Sequence, residues 1–462
     1  MANDRLKNLQ GNSRRSFLRW ATAAGAALAL DRSKVLDVIS DSGGSALADE
    51  GSCALTNRSV HIVAGDGGFS WFQLLWPHID IARSNNDGYA FHAFGQTKKA
   101  VDTDNDFEFA PESPWQSLDK TKRITGFMAG TNQTHTPTPG SAAQVGGGQS
   151  LLAVCAAIQR ATPSLLPVIG VDPVNFGAAK GAPDIATVGN ADGLVQLFNS
   201  AASRQILAMP QDAALYEAYY KAFVGLNKAA PRPTVQRPLR IGKSSANFLG
   251  QNLAKELQPS AEDLMRYGID GGTPTKLSEI GRILITASKA FHRGLTQAVI
   301  LPAMRDDPHG AFQNMANLKS TVGQLGKMLD QFYKDMAEMQ DPLCSAKTMA
   351  DSVILTVHGD TPKDPMNNNG WPDGTPNNAN WIYVMGNGYV KTGWFGGVRG
   401  NGSTDGFDPT TGKNVPNQQA SATSEAAGAA VAFAVAKGDM KRVQEFYTGP
   451  SIEGIVNVNP IQ

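Results

Sequence analysis

Short apolar runs rich in valine and isoleucine recur along this chain. Each closes on a glycine or polar turn, and stretches of helical periodicity separate many of them. The runs are "RSVHIVAGDGG" (58–68), "RITGFMAGTNQTH" (123–135), "LLPVIGVDP" (165–173), "LTQAVILPAM" (295–304), "DSVILTVHGD" (351–360) and "NWIYVMGNG" (380–388). Between and after them, "SLLAVCAAIQRA" (150–161), Ala213 to Asn227 and Ala246 to Leu257 read as helices. So do Leu277 to Arg293, a long stretch carrying Met315, Leu318, Val322, Leu325, Leu329, Phe332 and Met336 on one face, Ser424 to Lys437 and Met440 to Tyr447. Apolar strands alternating with helices predict an α/β fold: a mostly parallel central sheet with helices on both faces. Two Gly/Asn-rich stretches, at about 363–380 and 397–424, read as long loops of the kind that build sites.

The balance of Lys+Arg 41 against Asp+Glu 41 leaves no basic field to hold a nucleic-acid backbone, so a nucleic-acid partner is excluded. The N-terminal "NSRRSFLRWATAAGAALAL" sets Arg14-Arg15 before a short apolar stretch, the pattern of a twin-arginine export signal. That stretch is too short for a permanent membrane span. Cleavage sites stand after Ala29 and after Ala48; the second is favoured because the residues between are polar and rich in Ser and Gly. The expected organisation is therefore an export region over 1–48 and one α/β domain over 49–462. The expected partner is the twin-arginine translocation machinery and the expected location is periplasmic or secreted, with no stable transmembrane span in the mature form. Cys53, Cys155 and Cys344 permit at most one disulfide, and Cys155 sits on the apolar face of a helix as a small core residue.

In an open parallel sheet, ligands bind beyond the carboxyl ends of the strands, where connecting loops converge. This chain sets acids, hydroxyls and histidines there repeatedly. Asp66 follows the first run; Thr131, Thr134 and His135 follow the second. Asp307 and His309 follow "ILPAM", and His358 and Asp360 close "VILTVHGD". A divalent cation needs oxygen and imidazole ligands gathered from several strands, and this set supplies both. "VDTDNDFE" is not a calcium loop, because Phe107 stands where the loop needs glycine. His61, His78, His92 and His292 read as structural.

"GDGG" after the first strand, "DDPHG" before a long helix, "SVILTVHGDTPK", "GNGYVKTGWFGGV" and "VQEFYTGPSIEGIV" occur in that order between Arg58 and Val456. Together they resemble a family of twin-arginine-exported bacterial proteins of undefined function within the alkaline phosphatase and sulfatase superfamily. The resemblance implies an alkaline phosphatase/sulfatase-like sheet. It also implies a metal-dependent hydrolysis of phosphate or sulfate esters, with zinc, calcium, manganese or iron as the candidate ion. Carried over, it makes Asp66, Asp307 and His309 metal ligands, with His358 and Asp360 as additions in a shifted register. Thr131 or Thr134 becomes the nucleophile, and His135 and Asn380 fall on the substrate side. Where the family reads Ser-Glu-Phe-Gly-Arg-Thr-Pro, this chain has Thr356-Val357-His358-Gly359-Asp360-Thr361-Pro362, and where it reads His-Trp this chain has Asn380-Trp381. Those departures leave a second expectation open: a non-catalytic protein that binds a partner or an envelope component.

Overall fold

The structure is a computed structural model. It describes residues 53–64, 98–99, 108–109, 123–129, 144–162, 164–199, 252–304, 315–359, 381–398, 404–416 and 420–458. Its frame is an eight-stranded sheet. In chain order the strands are β1 (Arg58–Val63), β2 (Arg123–Met128), β3 (Leu166–Val171), β4 (Ala186–Val188), β5 (Thr296–Pro302), β6 (Val353–His358), β7 (Trp381–Gly386) and β8 (Gly393–Phe395). Their spatial order is β8-β2-β7-β6-β1-β5-β3-β4. All run parallel except β7, which pairs antiparallel with both β6 and β2. The mostly parallel α/β sheet expected from the apolar runs is present, with one strand reversed inside it.

The helices used below are α1 (Leu151–Gln159), α2 (Ala191–Leu197), α3 (Ala261–Arg266), α4 (Thr275–His292), α5 (Met315–Glu338) and α6 (Ala420–Val435). One face of the sheet packs Val60, Ile62, Val299, Leu301, Leu355 and Val357 against a core that includes Leu284 and Phe291 of α4 and Leu325 and Phe332 of α5. The other face carries Ile354, Ile382 and Val384 against α1 and the alanine-rich α6. Both faces are covered, which is why β1, β3, β6 and β7 are buried along their whole length. Asp263 of α3 bonds to Lys289 of α4 at 2.7 Å and to Arg266 at 2.7 Å, and Arg266 reaches Asp335 of α5 at 2.9 Å, so one charged cluster binds three helices.

The second expected loop is more ordered than its composition indicated. Gly397–Val398, Thr404–Phe407 and Asn414–Val415 form a small antiparallel sheet, and α6 begins already at Ala420. Phe407 explains the order: it packs with Phe127 of β2 and Phe395 of β8, at ring separations of 5.4 and 6.1 Å. The other expected loop, at about 363–380, and the helix expected over 213–227 lie outside the described residues.

Two features hold the frame from its margins. Gly126 of β2 lies directly opposite Tyr383 of β7 and Trp394 of β8. A Cβ there would stand 2.4 Å from the Trp394 ring and 2.9 Å from the Tyr383 ring, so the two rings close over a position that only hydrogen can occupy. Gly126→Ala is expected to lower stability by about 1–3 kcal/mol through overpacking, read as a shifted denaturant midpoint with the aromatic near-UV signal altered. At the amino end of the sheet, Cys53 is disulfide-bonded to Cys344 across a sequence separation of 291 residues, while Cys155 stays free and buried. A crosslink closing so long a loop restricts the unfolded chain strongly. Reduction, or Cys53→Ser, is expected to cost about 2–5 kcal/mol in the same assay.

Candidate functional site

The strands that precede or follow the chemistry-bearing residues of the sequence end or begin along the carboxyl edge of the sheet. Five neighbouring strands, β2, β7, β6, β1 and β5, meet it side by side. At ~4.8 Å per strand they span roughly 19 Å. Because β7 is reversed, the edge that four of these strands leave is the edge at which β7 begins: Trp381 pairs with Met128, and Ile382 with His358. Backbone hydrogen bonds continue the ladder beyond the strand ends. The Ala303 amide donates to Val63 at 2.8 Å, Ala64 to His358 at 3.1 Å, and Gly359 to Trp381 at 3.0 Å. Gly359 allows the last of these, since a Cβ would lie 2.3 Å from the indole nitrogen of Trp381.

The exits of these strands lead into the residues singled out in the sequence. Asp66 follows β1, Thr131, Thr134 and His135 follow β2, Asp307 and His309 follow β5, Asp360 follows β6, and Asn380 immediately precedes β7. All eight lie outside the described residues. His358, the ninth, is described. It is the last residue of β6, wholly buried. Among the described residues no group of three or more His, Cys, Asp or Glu is placed to hold a metal ion. Also among the described residues, no helix is long and apolar enough to cross a membrane.

What surrounds His358 was not anticipated. On the α1-facing side of the sheet, His61 of β1 lies in register with Thr356 of β6. The Thr356 hydroxyl bridges two imidazoles: Nδ1 of His61 at 2.6 Å and Nε2 of His358 at 2.7 Å. The rings are 5.8 Å apart. Both histidines are neutral at neutral pH. Burial lowers His61 to about 3, and burial together with the neighbouring His61 holds His358 well below the ordinary imidazole value. A signal was present in the sequence: "VHIV" and "ILTVH" put polar residues at positions that wholly buried strands normally give to apolar ones. One further acid was missed there. Asp172 stands at the carboxyl end of β3 with φ 66°, the left-handed region that Asp tolerates better than most residues.

No protein-family model, curated protein or solved structure matches the chain.

The buried imidazoles make stability depend on pH. Above about pH 7 the folded and unfolded forms of His61 are both neutral. As pH falls below the unfolded value near 6.5, the unfolded chain takes up a proton that the folded chain refuses until about 3. Stability therefore declines with acidification through that window, and His358 adds in the same direction. The His61 share is expected to be about 2 kcal/mol between pH 7.5 and pH 5. Urea denaturation of the parent and of His61→Gln at both pH values checks it. A variant that loses as much stability as the parent over that interval refutes the assignment.

Proposed function

We propose that this chain is an exported, metal-dependent hydrolase of phosphate or sulfate esters built on an alkaline phosphatase/sulfatase-like sheet. In this reading Asp66, Asp307 and His309 hold a divalent ion, with Asp360 available as a further oxygen ligand. The ion polarises the ester and lowers the pKa of the attacking group. Thr131 or Thr134 supplies that hydroxyl, and His135 and Asn380 contact the substrate.

One observation carries the reading. The five strands that precede or follow these candidates are adjacent in the sheet and present the same edge, including the reversed β7, which brings the Asn380 side of the chain to the same end as the others. Residues scattered from 66 to 380 in sequence are thereby attached to one row of strand ends, the position at which open α/β sheets bind ligands. The disulfide between Cys53 and Cys344 agrees with export to an oxidising compartment.

A second reading has its own observation. Val357, at the position where the resembled family has its glutamate, is wholly buried in the larger hydrophobic core. A protein lacking that acid, and with Asn380 in place of histidine, fits a binding role in the cell envelope.

Elemental analysis of the mature protein separates the two. The hydrolase reading expects about one equivalent or more of zinc, calcium, manganese or iron. It expects loss of the metal, and a fall of at least 100-fold in aryl phosphate or aryl sulfate hydrolysis, in Asp307→Ala. A folded parent that stays metal-free after incubation with these ions, and turns over neither ester, leaves the binding reading.

A further inference from the structure

The hydroxyl of Thr356 has one hydrogen to give and two imidazoles to satisfy. Among the described residues its partners are Nδ1 of His61 and Nε2 of His358 alone. The oxygen could accept from both rings, but the buried hydroxyl hydrogen would then have no acceptor; with that hydrogen bonded, one ring accepts from the hydroxyl and the other donates to it. The tautomers of the two histidines are therefore coupled, and only two arrangements of protons exist. In the first, Thr356 donates to His61, which then carries its proton on Nε2, and His358 donates through Nε2–H. In the second, His61 donates through Nδ1–H, Thr356 passes its hydrogen on to Nε2 of His358, and His358 keeps its proton on Nδ1.

The surroundings of His61 choose between them. Its Nε2 is buried and has no partner among the described residues. The first arrangement would place an N–H at that dry position with no acceptor, the rarer kind of orphaned group in folded proteins. The second leaves a lone pair there. A charged ring fails on the same ground: an imidazolium at His61 puts an N–H on its unpartnered Nε2, and one at His358 must donate to Thr356, which returns His61 to the first arrangement.

We propose that His61 and Thr356 are positioning residues: they form a relay that sets His358 as the Nδ1–H tautomer at the carboxyl edge of the sheet. His358 then faces its surroundings as a hydrogen-bond donor. It orients an oxygen acceptor at that edge and does not ligate a cation, since Nε2 is held by Thr356 and Nδ1 carries the proton. This role concerns described side chains alone and stands apart from the hydrolase reading. It also distinguishes His358 from the Asp and His residues named there as ligands.

The test reads the protons directly. In protein carrying 15N-labelled histidine at pH 7.5, long-range 1H–15N correlation reports the tautomer of each ring, and His61→Gln and His358→Gln assign the two signals. Both rings are expected in the Nδ1–H form, the minority form of neutral imidazole in water. Thr356→Val removes the bridge and is expected to move His358 to the Nε2–H form, while Thr356→Ser restores the parent spectrum. An Nε2–H signal on either ring of the parent overturns the proposal, as does a Thr356→Val spectrum with both tautomers unchanged. If the valine variant does not fold, the parent spectrum still decides. Because no step involves turnover or metal content, a failed ester screen leaves this result untouched.

Discussion

The central strand of this protein is polar where a buried strand is usually greasy, and the structure is organised around satisfying it. The segment "TNRSVH", from Thr56 to His61, carries five polar side chains, all within 1 % of full burial. Each must find a partner inside the fold, since an unpaired buried polar group costs about 1–3 kcal/mol. The partners come from different directions. Thr56 bonds Thr162 beyond α1, Asn57 reaches the carbonyl of Ala434 in α6, and Ser59 meets Gln159 of α1. Arg58 pairs with Asp341 and Ser352 just before β6, and His61 reaches Thr356 within β6. A hydrophobic strand could slide against its neighbours at modest cost. This one cannot, because every one-residue slip would orphan several of these groups at once.

The two ends of the sheet are thereby given different work. The amino end is closed by a buried ion pair and a disulfide. Burial alone would raise the Asp341 carboxyl, but the Arg58 guanidinium beside it and the Ser352 hydroxyl bring it below the usual carboxylate range. Asp341 stays charged while Arg58 faces it, and removal of either would strand the other in a dry interior. Cys344, close in sequence, ties the same region to Cys53. At the carboxyl end the described ladder is held by backbone bonds from Ala303, Ala64 and Gly359. The sheet is thus clamped through side chains and a disulfide at one end and through its backbone ladder at the other.

How much of this was legible in the sequence follows from which forces are local. Six of the eight strands announced themselves as apolar runs, and α4 and α5 as helical periodicities, because burial on one or two faces writes directly into residue order. The two short edge strands, β4 and β8, did not, since "ATV" and "GWF" are too brief to carry a period. The reversal of β7 was invisible: "WIYVMG" is as apolar as its parallel neighbours, and strand direction is set by how the chain returns, which no local pattern records. The role of Cys155 was readable from its apolar helix, while the pairing of Cys53 with Cys344 depends on distant segments meeting. The ordered hairpins after Gly397 were hidden by a Gly/Asn-rich composition and made stable by one residue, Phe407.

His61 marks the limit of reading residues singly. As an isolated histidine inside a strand it is a structural residue, and it is structural in the sense that it is buried and neutral. Its significance comes from register, which sets it opposite Thr356, and from the two-residue spacing that returns His358 to the same face of β6. A hydroxyl whose partners are two neutral imidazoles keeps its hydrogen bonded only by donating to one and accepting from the other, so the protonation of one ring is a condition on the other. The polar character of the central strand thus does more than lock its neighbours in place. It runs from the clamped amino end, through His61 and Thr356, to the imidazole at the carboxyl edge of the sheet, and it decides whether that imidazole presents a proton or a lone pair.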